Sequence, residues 1–364
     1  MIETSTKADA EPTHIVFYWA GKVPIIAELS ILSAVNRTER TLIHLFLDCD
    51  RDYESSLPNE LSDLVKHPRI VLHSFRLSAW ASRTKRHDLP FSDFSTPEPS
   101  RNRDENVSGS LKGRILSLRN FLTRKHGHFR LRVSKTALLL IQKYLPFFPT
   151  DHQFFGKIFG FHHELFERWG PASLRFALLT SGKSYRADVF RCLAANLYPG
   201  ESILYADLDV YFVSSPKTWD LSMPFIYRWE ENAWGNNALL FFPANRSILR
   251  RSLNSKLFGG APARPWFLFS EENCSRSGIR ILPADKFDPM WARSTAHFGD
   301  SDAFFEKRPE SRVFLAEIRE KFKTVHWHNH WNVIPERGSP FAVLLDGERA
   351  QRAVDAETAR VQFH

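Results

Sequence analysis

The sequence predicts an α/β protein whose mostly parallel sheet is covered by helices on both faces. In the first 75 residues, short apolar runs alternate with segments of helical spacing, which is the pattern of βαβ units. These runs are mostly apolar and do not alternate with polar residues, as expected for strands that are buried on both sides. Hydrophobic residues make up 43% of the 364-residue chain, which is enough for a sizeable core.

Each predicted element follows from a local signal. The apolar runs "THIVFYWAG", "TLIHLFLDCD" and "RIVLHSF" predict three early strands. The segment "KVPIIAELSILSAVNR" between the first two predicts a helix, because its apolar residues recur on one face. Later strands are predicted at "ILYA", "PFIYRW", "NNALLFFPA", "GIRILPA" and "KTVHWHNHWNV". Ligands of such sheets bind beyond the carboxyl ends of the strands, where Trp19 and Asp48 lie.

The domain organisation follows from shifts in composition. We expect a disordered tail at 1–12, one domain at 13–340 with a helical insertion at about 78–175, and a helical tail at 341–364. The insertion is basic, with ten Lys/Arg and two acidic residues between 101 and 135. Its apolar residues recur at helical spacing. A helix packed on the domain is favoured over one that lies on an anionic membrane.

Charge and cysteine content narrow the choice of partners and compartment. The formal net charge is +8, which favours anionic partners such as nucleotides, nucleic acid or an acidic membrane surface. The three cysteines form no CxxC motif, so neither a disulfide framework nor a thiolate zinc site is expected. The N-terminus has no apolar signal-peptide core. The sequence predicts a cytoplasmic protein, with peripheral contact at the inner membrane face as an open alternative.

Two aspartates lie within the otherwise apolar segment "ILYADLDVYF". Read as a strand, the segment places the carboxylates of Asp207 and Asp209 on one side, because residues i and i+2 face the same way. Buried carboxylates this close require a divalent cation or a shared proton. Oxygen ligands suit Mg²⁺ or Mn²⁺, which keep positions open for phosphate oxygens. The pair predicts a site for a metal and a diphosphate, within the strand or at its solvent-facing end.

Three histidines alternate in "VHWHNHW" near the C-terminus. On a strand, His326, His328 and His330 would face one way, and neutral imidazoles are good metal ligands. The alternative is a buried aromatic strand whose histidines are hydrogen-bonded. The pattern leaves both interpretations open.

Four stretches of the chain resemble the motifs of one enzyme family and occur in the same order as in that family: "HIVFYWAG", "YRADVFRCLAANLYPG", "ILYADLDVYF" and "NNALLFFPANRSIL". They resemble the opening strand, the donor-binding helix, the Asp-x-Asp strand and the Asn-Ala segment of the retaining GT-A glycosyltransferases. That branch includes yeast initiating mannosyltransferases, α-1,4-glycosyltransferases and the clostridial glucosylating toxins. The resemblance covers roughly 15–75 and 180–335. Pro199-Gly200 departs from the paired glycine of the family, and the insertion has no counterpart in it.

The resemblance implies a Rossmann-like GT-A fold, a Mn²⁺ or Mg²⁺ cofactor and a role for each matching residue. A tryptophan on the first strand of the family stacks on the nucleotide base, and a C-terminal histidine completes the metal site in several members. The implied metal ligands are Asp207, Asp209 and His326. The implied donor-binding residues are Trp19, Asp188, Arg191, Tyr205, Asn237 and His330. No catalytic base or nucleophile is predicted.

The implied reaction is transfer of a sugar from a nucleotide-sugar donor to an acceptor hydroxyl, with retention. A UDP-sugar is favoured and GDP-mannose is the alternative; the acceptor is a glycan, a glycolipid or a protein, with polysaccharide or glycolipid synthesis favoured. One rival is a metal-dependent hydrolase that uses Asp207, Asp209 and the cluster of His326, His328 and His330. A second is a non-catalytic nucleic-acid binder. It is disfavoured because the basic excess concentrates at 101–135, so no nucleic-acid partner is predicted.

Overall fold

The computed structural model of the chain describes residues 11–48, 57–75, 77, 183–229, 232, 234–258, 263–288, 301–328 and 330–362. The chain divides into two compact units. The first comprises 1–76, 190–253 and 264–364, and the second comprises 77–189 and 254–263. The predicted insertion at 78–175, its basic stretch and most of the predicted N-terminal tail lie outside the described residues.

All strands in the described part of the chain belong to the first unit. They are β1 (His14–Ala20), β2 (Leu42–Asp48), β3 (Ile70–Phe75), β4 (Ile203–Ala206), β5 (Val210–Phe212), β6 (Phe225–Arg228), β7 (Gly235–Phe242), β8 (Arg280–Leu282) and β9 (Thr324–His326). The described α-helices are α1 (Glu28–Asn36), α2 (Asn59–Ser62), α3 (Lys183–Leu193), α4 (Ser247–Phe258), α5 (Pro265–Leu268), α6 (Glu271–Ser277), α7 (Ser311–Lys321) and α8 (Pro340–Gln362). Short 3-10 turns include Ala284–Lys286 and Ser301–Phe304.

Seven strands form a mixed, mostly parallel sheet in the order β3-β2-β1-β4-β7-β6-β8. The pairings β2–β3, β1–β2, β1–β4 and β6–β8 are parallel, whereas β7 runs antiparallel to both β4 and β6. Strands β5 and β9 form a separate antiparallel pair. The predicted α/β class is confirmed, and the sheet is parallel where the sequence showed βαβ alternation.

Continuous apolar runs produce strands that are buried on both faces. In β1, Ile15 and Phe17 join a core cluster with Ile31 of α1. On the opposite face, Tyr18 stacks on Phe190 of α3, with 4.4 Å between ring centroids. Packed side chains therefore cover both faces of β1.

The C-terminal helix α8 packs against α1. Ion pairs hold α8 at both ends of α1: Arg349 pairs with Glu28 at 2.5 Å, and Arg37, the residue after α1, pairs with Glu348 at 2.6 Å. The segment predicted as a helical tail is therefore a long helix of the first unit that packs along α1. None of the described helices is both long enough and apolar enough to cross a bilayer.

The parallel part of the sheet brings several chain segments to one edge. β1, β2, β3 and β4 run in the same direction, so their carboxyl ends lie at the same edge of the sheet. Asp48 is the last residue of β2, and Asp207 directly follows β4. This is the edge where α/β proteins bind ligands.

Candidate active site

The aspartate pair lies in a turn and not within a strand. Strand β4 ends at Ala206 and β5 begins at Val210. The N–H of Asp207 donates to the carbonyl of Ala238 at 2.8 Å, and the N–H of Val210 donates back to the carbonyl of Asp207 at 3.1 Å. The expectation that strand alternation aligns the carboxylates was therefore wrong in its local geometry. The turn, at the end of the strand, brings them together instead.

The small β5–β9 sheet brings a distant histidine to this turn. Val210 pairs with His326, and the N–H of Trp327 donates to the carbonyl of Asp209 at 3.1 Å. As a result His326 Nε2 lies 3.3 Å from Asp209 Oδ1. Ligand atoms of Asp207, Asp209 and His326 all lie within 4.8 Å of one another. The three residues predicted as metal ligands are thus adjacent.

A second network joins Asp207 to three of the predicted donor-binding residues. Arg191 on α3 forms a two-pronged ion pair with Asp207, its Nε lying 3.0 Å from Oδ1. The same guanidinium donates to Asn237 Oδ1 at 2.7 Å. The Tyr205 hydroxyl donates to Asp207 Oδ1 at 2.6 Å. The sequence placed these four residues in one site but did not predict the direct Arg191–Asp207 pair.

The charges around the aspartate pair act in opposite directions on the pKa of Asp207 and raise the pKa of His326. Burial raises the pKa of Asp207; Arg191 lowers it, and the nearby charge of Asp209 raises it again. For His326, burial alone lowers the pKa, but Asp209 and Asp288 overcome this and raise it to about 10. The ring therefore carries a proton that offsets the carboxylate charge. A ligating imidazole has to be neutral, so a cation held by these residues would take the place of that proton.

The chemistry of the donor set fits a hard divalent cation. Two carboxylates and one imidazole supply three ligand atoms, which leaves positions for water or phosphate oxygens. The side chains of Asp207 and Asp209 are 13% and 2% exposed, so the pair opens to solvent on the Asp207 side. Asp207, Asp209 and His326 are the residues that would hold Mn²⁺ or Mg²⁺.

Two residues that the sequence did not single out contact the other edge of His326. The Tyr227 hydroxyl lies 2.8 Å from His326 Nδ1, and Asp288 Oδ2 lies 3.6 Å from the same nitrogen. Burial raises the pKa of Asp288, but His328 and His326 outweigh it and lower the pKa to about 2. A tyrosine in the apolar run "PFIYRW" looks like an ordinary core residue, and no sequence signal marked Asp288.

The three alternating histidines do not share a strand face. Strand β9 ends at His326, and His328 adopts a left-handed backbone conformation with φ 48°. His328 contacts Asp288, whereas His330 Nδ1 lies 3.8 Å from Asp302 and its ring stacks on Phe305. The strand interpretation was wrong beyond His326 because the chain turns there. Asp302 is exposed on the 3-10 turn Ser301–Phe304.

Two further predicted residues lie on the elements expected of them. Trp19 is near the end of β1; its Nε1 donates to the carbonyl of Lys22 at 2.7 Å, and Trp331 packs edge-on against it at 4.4 Å between centroids. Asp188 is buried on α3, three residues before Arg191. The donor-binding roles of both residues stay predictions.

Comparisons with known proteins give structural matches and no sequence matches. No protein-family model matches the chain, and no curated protein matches it in sequence. The apo structure of WbbM, a bifunctional glycosyltransferase, matches with TM-score 0.42 and 10% identity over 93% of this chain and 49% of that one. The galactosyltransferase LgtC with donor and acceptor sugar analogues matches with TM-score 0.37 and 10% identity over 92% and 95%. Mouse xyloside xylosyltransferase 1 matches with TM-score 0.35 and 8% identity over 88% and 99%.

These matches are to glycosyltransferases, as the sequence resemblance predicted. The chain spans about half the length of the matched WbbM structure. Because the TM-scores lie below 0.5, the function is inferred from the residues of the site.

Proposed function

We propose that this chain is a metal-dependent glycosyltransferase that takes its sugar from a nucleotide-sugar donor. The observation that carries the proposal is the convergence of Asp207, Asp209 and His326 on one point. Arg191 adjoins that point through its ion pair with Asp207, and Asn237 is connected to it through Arg191. A cation beside an arginine and an amide is suited to a diphosphate attached to a sugar.

The residues of the site have separate tasks in the proposed reaction. A bound divalent cation supplies Lewis-acid stabilisation of the nucleoside diphosphate that leaves. Arg191 supplies a second positive charge, which its partners Asp207 and Asn237 hold in place before the donor arrives. Tyr205 fixes the Asp207 carboxylate by its 2.6 Å hydrogen bond. Asn237 accepts from Arg191 through its Oδ1 at 2.7 Å and so helps to position the guanidinium.

The finer assignments follow from the sequence resemblance. UDP is the favoured donor nucleotide and GDP the alternative, with Trp19 on the base and Asp188 and His330 on the sugar and the diphosphate. Retention at the anomeric carbon and an acceptor hydroxyl on a glycan, glycolipid or protein belong to the same proposal. So does a cytoplasmic location, with peripheral contact between the basic stretch at 101–135 and an anionic membrane as the less favoured alternative.

The first test is a thermal-shift screen of nucleoside diphosphates with and without Mn²⁺. Ligand at 100 times its dissociation constant stabilises the folded state by about 2.7 kcal/mol. We expect UDP or GDP to raise Tm in the presence of Mn²⁺, and Asp209→Asn to abolish the metal-dependent part. Asp346→Asn on the exposed surface of α8 removes the same charge elsewhere and serves as the control.

The same protein then distinguishes the rival reactions. Incubation with a nucleotide sugar and Mn²⁺, with and without an added acceptor, separates transfer from release of free sugar. Metal-dependent hydrolysis of non-nucleotide substrates, with no nucleotide-dependent shift, would favour the hydrolase. Stabilisation by plain nucleic acid that Asp209→Asn leaves unchanged would favour the nucleic-acid binder.

A further inference from the structure

The His326 ring has a second hydrogen-bonding edge, which faces away from the aspartate pair. Its Nδ1 lies 2.8 Å from the Tyr227 hydroxyl, and that hydroxyl donates to Asp288 Oδ2 at 3.2 Å. The direct distance from Nδ1 to Asp288 Oδ2 is 3.6 Å, which is too long for a hydrogen bond. Tyr227 therefore connects the imidazole to the buried carboxylate.

The direction of these hydrogen bonds selects one tautomer of the neutral ring. A phenol has one proton, and a carboxylate accepts hydrogen bonds without donating. Because Tyr227 gives its proton to Asp288, it can only accept from His326, which places the ring proton on Nδ1. The lone pair is then on Nε2, the nitrogen 3.3 Å from Asp209. This is the tautomer that ligation through Nε2 requires.

The hydrogen-bonded chain from His326 through Tyr227 to Asp288, here called the relay, is fixed in place by further contacts. Asp288 is fully buried, its N–H donates to the carbonyl of Ala284 at 2.8 Å, and His328 Nε2 lies 3.0 Å from its Oδ1. Tyr227 is buried in β6 and stacks on Phe287, with 15° between the ring planes. His328 reaches Asp288 from a left-handed backbone conformation, which is uncommon outside glycine.

We propose that Tyr227 and Asp288 are positioning residues that set the tautomer and orientation of His326 for metal binding. The inference rests on the proposed metal centre at Asp207, Asp209 and His326. Ligand atoms of Asp288, His326 and His328 also lie within 4.8 Å of one another, so a second cation there is the competing explanation. Asp288 already has both oxygens at hydrogen-bond distance from His328 or Tyr227, which favours the relay.

The test is a Mn²⁺ titration of Tyr227→Phe, in which electron paramagnetic resonance measures the concentration of free ion and so gives the affinity. The substitution keeps the stacked ring and removes the hydroxyl. We expect Mn²⁺ affinity to fall by about 10- to 100-fold, as is usual when such a supporting partner is lost. Asp288→Asn should give a similar loss, because its amide can donate to Tyr227 and so reverse the hydrogen bonds toward His326. The stoichiometry should remain one Mn²⁺ per chain.

Tyr211→Phe is a matched control for any general effect on folding. Tyr211 is also buried next to β9, and its hydroxyl also donates to a buried carboxylate, that of Glu348, at 2.9 Å. Its hydroxyl points to α8 instead of His326, so Mn²⁺ affinity should be unchanged. High Mn²⁺ should restore kcat in Tyr227→Phe, which metal would not do for a merely misfolded protein.

The outcomes separate this inference from the proposed function. If the unmodified protein binds no Mn²⁺, the metal centre itself is refuted. If it binds one Mn²⁺ and Tyr227→Phe binds it equally well, the positioning role is refuted and the metal centre stands. Two Mn²⁺ per chain, with one lost in Asp288→Asn, would replace the relay with a second cation site.

Discussion

Two groups of buried histidines in the first unit make opposite use of the same side chain. The histidine ladder runs across β1, β2 and β3: His14 Nδ1 lies 2.9 Å from His44 Nε2, and His44 Nδ1 lies 2.9 Å from His73 Nε2. The metal-side group is His326 and His328, which lie among aspartates. In the ladder each ring mainly contacts other rings, whereas His326 lies between two carboxylates.

The difference in neighbours decides the charge. Burial lowers the pKa of His44 to about 3, with help from His73 and His14, and burial lowers the pKa of His73 to about 4. The pKa of His326 moves the other way, to about 10, because Asp209 and Asp288 outweigh burial. A ladder of neutral rings is a structural hydrogen-bonded chain. A positive ring between carboxylates marks a place where positive charge is needed.

The ladder ends in groups that fix its direction. His14 Nε2 lies 2.9 Å from Glu201, so the proton on that nitrogen donates to the carboxylate and Nδ1 accepts from His44. The same logic gives His44 an acceptor at Nδ1, which faces both His73 and the Tyr198 hydroxyl at 2.8 Å. Every ring then donates through Nε2, and the chain needs no ion to satisfy it.

The largest effect on stability is expected from His44→Phe, which removes the middle ring of the ladder. His14 Nδ1 loses its His44 partner, and His73 Nε2 keeps only the Tyr198 hydroxyl at 3.3 Å. An unsatisfied buried polar group costs about 1–3 kcal/mol. We expect the free energy of unfolding in urea to fall by about 3 kcal/mol, with Mn²⁺ affinity unchanged. His67→Phe, at a half-buried histidine outside the ladder, is the control. A loss of Mn²⁺ binding in His44→Phe would show that the two groups are coupled.

The sequence predicted the strands of the ladder but not the ladder. Each of "THIVFYWAG", "TLIHLFLDCD" and "RIVLHSF" contains one histidine, and each was correctly predicted as a strand. Which rings meet depends on register: His44 pairs with Val16, and His73 pairs with Phe46. Register is set when the strands assemble into the sheet, so the contacts between these histidines could not be predicted from the separate strand segments.

In the candidate metal site, the residues that the sequence could predict are charged residues within apolar segments. Asp207 and Asp209 were identified because carboxylates within an apolar run need an explanation. His326 followed from the family resemblance, and Arg191, Tyr205 and Asn237 from motif order. Tyr227 and Asp288 were missed since their role exists only through contacts made after folding. The turn at His328 was missed because alternation was extended past the end of β9.

The pH dependence of the free energy of unfolding tests whether the ladder histidines are neutral, and its expected effect is somewhat smaller than that of His44→Phe. The ladder histidines have folded pKa values below 6.5, so the unfolded chain binds more protons as the pH falls below 6.5. Their contribution is complete above pH 6.5 and is lost progressively toward pH 4 for His73 and pH 3 for His44. At pH 4.5 the loss is roughly 2 kcal/mol for each of these two residues.

Because carboxylates also titrate in that range, the measurement is a difference between variants. Urea unfolding at pH 7.5, 6.5, 5.5 and 4.5 should show the deficit of His44→Phe shrinking from about 3 to about 1 kcal/mol as the pH falls. His14, whose pKa is also lowered by burial, faces Glu201 and Arg246 and retains its own contribution in both proteins. A deficit that stays constant with pH would mean that His44 is not held neutral.

The smallest expected effect comes from Tyr198→Phe, the ladder's counterpart of the Tyr227 substitution. His44 Nδ1 has one lone pair, and the His73 N–H at 2.9 Å already uses it, so the Tyr198 hydroxyl is a second donor to an occupied acceptor. Its removal should lower the free energy of unfolding by about 1 kcal/mol or less, since the ring and its stacking on His14 remain. Chemical unfolding measures that loss, and Mn²⁺ titration of the same variant should match the unmodified protein.

The two Tyr→Phe changes thus remove the same group from the same kind of partner. A hydroxyl that only adds to a satisfied chain should affect stability slightly, whereas the one that selects a tautomer should affect metal binding. If Tyr198→Phe weakened Mn²⁺ binding as much as Tyr227→Phe does, the distinction between a structural and a metal-side histidine group would fail.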